Sequence, residues 1–408
     1  MSFQQGLSGL NAASKNLDVI GHNIANSNTV GFKASRAEFA EMVASAIGSA
    51  GGSNAGIGVE VAAVAQQFTQ GNLTITGNSL DVAINGNGFF TLTLPDGTPA
   101  YTRSGNFKLD KEGNMITNDN ASVMGYPVDP VTGLRSGTDP IPMVFPTAEP
   151  IPAKQTTTIT AAFNLDARAP IAASVTPPTP VTTYGTSLVA YDPQGMEVPV
   201  GLAFTKTANN TWEVYASING GALAPLAPPV NLNFNADGTI DPASITPPPT
   251  ITLTSPNDPA VTFPVTLDLT AASQFGTDFA IHDLDQDGYF PGEFVGLNID
   301  ESGVVTGRYS NGETRAAGQV ALVNFRNSQG LSPSSGGNWS ATFASGEPVR
   351  GEPGAGNFGG IRSGALEDSN VDLTAELVNM MTAQRAYQAN AQTIKTQDQV
   401  LSTLLNMR

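Results

Sequence analysis

The residues best typed and spaced for chemistry are Asp283-Leu-Asp285-Gln-Asp287-Gly288. Carboxylates at alternate positions followed by glycine at the sixth match the first half of a calcium-binding loop. The second half departs from it. Phe294 stands where a bidentate glutamate belongs, Glu293 comes one residue early, and Pro291 occupies the ninth position. No helical pattern flanks the run. The residues therefore favour an acidic turn, with cation binding by Asp283, Asp285 and Asp287 as the weak alternative. His282 beside Asp283 could form an acid–base dyad, yet nothing ties the pair to a particular serine. Gly354-Ala-Gly356-Asn-Phe-Gly359 spells the phosphate-cradling fingerprint, but no strand precedes it and no helix follows, so that reading fails its context. Nucleophile-elbow, zinc-protease and Walker patterns do not occur. With no cysteine and two histidines, thiolate chemistry is excluded and imidazole is scarce. The expectation is a protein with no catalytic residue and no cofactor.

Composition points the same way. The 408 residues include 43 Gly and 29 Pro, which suits turn-rich β modules better than a helical enzyme. The net charge of −17 is concentrated in residues 71–360, with 11 basic and 26 acidic side chains. Such a surface repels phosphate backbones and anionic lipid, which argues against nucleic-acid partners and membrane insertion. No apolar run approaches a membrane span, and the N-terminus lacks the pattern of a cleaved signal peptide.

What would position any site is a chain with helical ends and a β middle. Every proline lies between Pro95 and Pro353, which leaves both ends free to be helical. At the first end Phe3, Leu7, Leu10, Ser14, Leu17, Gly21 and Ile24 alternate by four and three. Ser2 and Gln5 form a capping-box pattern, and the helix is expected to stop near Asn26 to Asn28, before Gly31. At the other end Leu373, Leu377, Met380, Gln384, Tyr387, Ala391, Ile394, Asp398, Leu401 and Leu405 keep heptad spacing, with start signals at Ser369 and Asp372. The simplest arrangement pairs the two ends, coiled-coil fashion. Val19, Ile20, Val378 and Met381 lie off the strict seam and require other partners. Apolar surface left over on such ends marks association. Heterologous contacts that do not close build helical filaments.

The fold class is mixed and mainly β. The expected nesting is a terminal helical domain (1–30 and 366–408), a linker region (31–70 and 361–365), an inner β-domain (71–144 and 284–360) and an inserted outer β-domain (145–283). Asn85-Gly86 and Asp96-Gly97 between apolar runs predict hairpin turns. Residues 107–116, 297–305 and 232–240 share a local pattern read as similar hairpins. Residues 45–58 are small and flexible in composition.

Several blocks in order resemble flagellar rod and hook axial proteins. They are Gly6-Leu-Ser-Gly-Leu10, Leu17-Asp-Val-Ile-Gly-His-Asn-Ile-Ala-Asn26, Thr29-Val-Gly-Phe-Lys33, Gly71 to Phe90, Tyr101-Thr-Arg-Ser-Gly-Asn-Phe107, Leu366-Glu-Asp-Ser-Asn-Val-Asp-Leu373 and Gln384-Arg-Ala-Tyr-Gln-Ala-Asn390. Chain length and the segments Gly288-Tyr289, Tyr309 to Thr314 and Gly318 to Leu322 are similar to the hook members. The resemblance implies a subunit of a curved tubular polymer that acts as a universal joint between rod and filament. A distal rod or hook–filament junction protein of the same family is the alternative. It further implies export without cleavage through the flagellar type III apparatus to an extracellular hook. The implied partners are further copies of the chain, the distal rod protein, the hook cap, the junction protein and the length-control protein. The residues carried as assembly residues are Leu7, Leu10, Leu17 and Ile24 on one helix and Leu377, Ile394, Leu401 and Leu405 on the other. Asn23, Asn26, Gly31 and Phe32 belong to the motif that ends the first helix and fixes the segment after it.

Overall fold

The computed structural model describes residues 2–43, 56–145, 150–172, 183–226 and 228–406. It forms two compact units. One comprises Met1–Ala148, Gly296–Arg308 and Thr314–Arg408, the other Glu149–Val295 with Tyr309–Glu313. The expected insertion at 145–283 thus begins later and ends later. Phe145 is buried, and its N–H donates to the Gly113 carbonyl at 2.8 Å within the first unit. At the far end Asp283 and Asp285 lie in a strand rather than a turn, and Asp287-Gly288 form the bend that follows it. Ala280–Gln286 pairs antiparallel with Thr158–Asp166, so the second unit continues past residue 283.

In the first unit α1 spans Ser2–Ala25 and α2 spans Leu373–Asn406. Asp372 caps α2 by accepting the N–H groups of Thr374 and Ala375 at 2.9 and 3.1 Å, which satisfies two donors that a helix start leaves free. Gln5 does not close a capping box. Its amide instead donates to the Gly56 carbonyl at 2.5 Å. The stretch expected as linker carries a hairpin of its own, β1 (Ser35–Val43) against β2 (Gly56–Gln66). Ala37, Phe39, Val59, Val61 and Ala63 supply the alternation for it. Most of the 45–58 small-residue stretch lies outside the described residues.

The β part of this unit is a long sheet. It runs from Thr314–Val320 through Ser122–Tyr126, Phe89–Thr93 and Pro99–Thr102 to Asn338–Ser340. Asp96-Gly97 makes the predicted hairpin, with the Asp96 carboxylate accepting both the N–H and the hydroxyl of Thr98. Asn85-Gly86 does not. Val82–Asn85 pairs with Gly360–Ser363 instead. The reason is a crossing of two backbones: a Cβ on Gly359 would lie 2.5 Å from the Asn85 carbonyl oxygen.

The second unit holds two five-stranded sheets whose inward residues share one core. Alternation along Thr211–Ile218 and Thr262–Asp268 buries one face of each, and Thr158–Asp166 alternates until Phe163, after which both faces are buried. Trp212 sits fully inside, its indole N–H donating to Gln274 Oε1 at 2.9 Å. The three look-alike segments are each a turn with left-handed glycine, Gly113, Gly238 and Gly303.

Candidate assembly site

The helices α1 and α2 run antiparallel. Gly6 faces Ile394, Gly9 faces Asn390, and Asn23 Nδ2 lies 3.4 Å from Glu376 Oε1. Their contact is made by small residues. A Cβ on Gly9 would come within 2.9 Å of Asn390 Oδ1, so a larger residue there must displace the Asn390 side chain. Gly6, Ala12, Ala13, Ile20 and Asn23 are the buried positions along α1 among the described residues, and Ala383 is the buried one on α2 among the described side chains.

The heptad residues expected to form the seam lie mostly outside it. Leu7, Leu377 and Leu401 are 45%, 47% and 54% exposed, and Leu10, Leu17 and Ile24 are half-buried. Ile394 is the member placed against the opposite helix. The side chain of Leu405 lies outside the described residues. Phe3, Val378, Met381 and Val400 add to the exposed apolar surface. Ile20, expected to need an outside partner, is buried within the chain.

Below the helices a polar joint ties the ends to the β part. Asn26 closes α1 by donating its side-chain amide to the His22 carbonyl at 2.9 Å. Asn23 acts as a surrogate strand. Its Oδ1 accepts the Ser35 N–H at 2.9 Å and its Nδ2 donates to the Ser35 carbonyl at 2.8 Å. Gly31 turns the chain at φ +70, with Arg103 and Ser104 backbone so close that no side chain fits. Its N–H donates to the Glu367 carbonyl at 2.7 Å. Phe32 stacks edge-on against His22. Asn370 accepts the Ala34 N–H at 2.7 Å and donates to Gln67 and Thr69.

At the centre of this joint is an ion triad. The Glu367 carboxylate meets Lys33 Nζ at 2.5 Å and Arg103 NH1 at 3.1 Å, and it also accepts the Gly71 N–H at 2.9 Å. The Lys33 and Glu367 side chains are wholly buried. Burial pulls the Lys33 ammonium and the Arg103 guanidinium below their usual values, and Glu367 opposes both shifts. Lys33 also donates to the Thr69 carbonyl and Arg103 to that of Gly86. Lys33, Arg103 and Glu367 lie within the segments 29–33, 101–107 and 366–373 that resemble the axial proteins, and nothing in those segments by themselves assigns the three a role. Segments 29–33 and 101–107 each carry a lone charge, Lys33 and Arg103, whereas Glu367 stands beside Asp368 with Asp372 close by and carries no such signal.

The chemical candidates disperse. Asp283 and Asp285 are exposed on their strand. Asp287 is engaged elsewhere: Oδ1 accepts the N–H groups of Thr157 and Thr158 at 2.8 and 2.9 Å, and Oδ2 accepts the Thr157 hydroxyl at 2.6 Å and meets Lys154 Nζ at 3.2 Å. Burial raises its pKa, but these donors outweigh it and hold the carboxyl at about 2. Among the described residues no three His, Cys, Asp or Glu are placed to hold a metal ion. His282 is skipped by a bulge in the strand pairing and is exposed.

Paired terminal helices with outward apolar faces, rooted by a buried polar joint in a β-rich body, define a structural protein of the axial type. Four family profiles match in chain order. They are the flagella basal body rod protein (residues 3–33), the flagellar hook protein FlgE/F/G D1 domain (83–164), the flagellar basal body protein FlaE D2 domain (164–289) and the flagellar basal body rod FlgEFG protein C-terminal region (362–407). The flagellar hook proteins FlgE of Salmonella typhimurium and Escherichia coli are each 42% identical to this chain, over 100% of both chains. That of Rhizobium meliloti is 35% identical, covering 100% of this chain and 98% of its own. The chain belongs to the flagellar hook protein FlgE family. The crystal structure of Helicobacter pylori flagellar hook protein FlgE2 has the same fold at TM-score 0.53 and 15% identity, covering 72% of this chain and all of that one.

Proposed function

We propose that the chain is the structural subunit of a bacterial flagellar hook, a tube of identical copies that bends while passing torque from rod to filament. The observation that carries this reading is the apolar surface left by the α1–α2 pair. Leu7, Leu377, Val378, Met381 and Leu401 face solvent in the single chain. Burying each such residue against a neighbour contributes roughly 1.5–3 kcal/mol. Helices meeting different faces of successive copies form a non-closing contact. The copies nearest the rod, the tip and the filament then meet the distal rod protein, the hook cap, the junction protein and the length-control protein. On this reading the subunit works outside the cell, reaches its place without a cleaved leader and carries no catalytic activity.

The test is electron microscopy of the concentrated full-length chain beside Leu10→Asp and Leu401→Asp. Short curved tubes are expected from the unsubstituted chain and none from either variant, with thermal unfolding of the β part unchanged. Normal tubes from both variants would refute the role of the ends. Straight tubes from the unsubstituted chain would refute the hook assignment.

A further inference from the structure

Phe343 is the most exposed large apolar side chain of the described residues, at 104% of its reference area. Its turn is not loose. The Thr342 N–H donates to Ser345 Oγ at 3.0 Å, and Ser345 Oγ donates back to the Thr342 carbonyl at 2.8 Å. The Thr342 hydroxyl donates to the Gly330 carbonyl at 2.5 Å, and Asn327 Nδ2 donates to the Ala344 carbonyl at 3.0 Å. Ser345 is fully buried. A Cβ on Gly330 would lie 2.5 Å from the backbone of Ala344 and Ser345, so the two turns press together. The backbone that carries the exposed ring is thus fixed by its neighbours. An aromatic residue fixed in this way loses little conformational freedom on binding, which favours it as an interface anchor.

The surrounding sequence says what would cover it. From Asn327 to Gly346 the chain has no charged residue, with Arg326 and Glu347 at its limits. Yet the chain as a whole carries −17. Two copies of so acidic a protein repel wherever their surfaces carry that charge, so a self-contact belongs where charge is absent. Interface cores are likewise depleted of charge and enriched in aromatic residues. We propose that Phe343 is an anchor between copies, inserted into a neighbouring subunit in the assembled tube. The proposal rests on the polymer reading above, and it concerns a contact made by the β part, separate from the helical ends.

The test uses the full-length Phe343→Trp chain. Trp212 and Trp339 are both buried, at 0% and 3%, so the introduced indole is the exposed one, and the unsubstituted chain supplies the background. On assembly its emission is expected to move to the blue and its quenching by iodide to fall about tenfold. Phe343→Ser is expected to raise the concentration needed for tubes by roughly ten- to thirty-fold, with unchanged unfolding of the β part. Tubes that leave the indole as quenchable as in the monomer would overturn the proposal. So would protection that arises only when the cap protein is added, which would assign the anchor to a different partner. If the unsubstituted chain forms no tubes at all, the polymer reading fails first and takes the proposal with it.

Discussion

The terminal helices and the second unit use the same apolar residue types to opposite ends. In Glu197–Ala208 the strand buries Val198, Val200, Leu202, Ala203 and Phe204 within its own unit. Over the 34 residues of α2, Ala383 alone is buried among the described side chains. The difference follows from geometry. A strand presents one face to one facing sheet, and two sheets close on each other. The apolar stripe of these helices is wider than a single small-residue partner can cover, and helices without packing are marginal in water. One region completes its core in the chain; the other leaves apolar surface that, on the proposed function, neighbouring copies cover.

The largest expected effect tests how firmly the incomplete region is rooted. Glu367→Gln leaves Lys33 and Arg103 buried with no counter-charge, and breaking a buried pair in this way costs about 3–5 kcal/mol. Calorimetry is expected to show the first unit melting at lower temperature while the second keeps its transition. Equal loss in both would erase the contrast between the regions. Next in size is Gly9→Val. Overpacking the α1–α2 contact costs about 1–3 kcal/mol, against less than about 1 kcal/mol recovered in helix propensity. Far-ultraviolet circular dichroism is expected to lose helical signal with the β signal retained. A variant as helical as the parent would mean that the small-residue seam does not hold the pair.

Much of this was legible from periodicity. The two helices, their order and the β middle follow from spacing and from where proline is absent. The seam was not. The heptad rule selects Leu7, Leu10 and Leu17, whereas close approach selects Gly6, Gly9 and Ala13, which carry no hydrophobic signal. Asn85-Gly86 looks like a hairpin locally, and only the distant Gly359 crossing reveals its role. The same limit hides the triad, because Lys33, Arg103 and Glu367 lie far apart in sequence and none carries a motif that names its partners. The acidic run misled for a related reason. Its alternation of carboxylates is also the alternation of a strand, and the pairing partner begins at Thr158.

That run supplies the smallest effect and a second way to sharpen the comparison, since Asp287 fastens the start of one strand of the closed region to the end of another. Its folded pKa of about 2 lies below the unfolded value of about 3.9. A depressed carboxyl stabilises the fold above the unfolded pKa and loses that contribution as pH falls through the folded one. The window is therefore about pH 4 down to about 2. The shift corresponds to somewhat over 2 kcal/mol, which solvent screening at a side chain 32% exposed reduces to about 1–2 kcal/mol. In Asp287→Asn the second unit is expected to be less stable by that amount at neutral pH and to show a flatter acid limb than the parent. Millimolar calcium is expected to leave the melting of both proteins unchanged, because the carboxylate oxygens already accept three hydrogen bonds and a lysine. A calcium-dependent rise in the parent that the variant lacks would return the three aspartates to the role of a cation site.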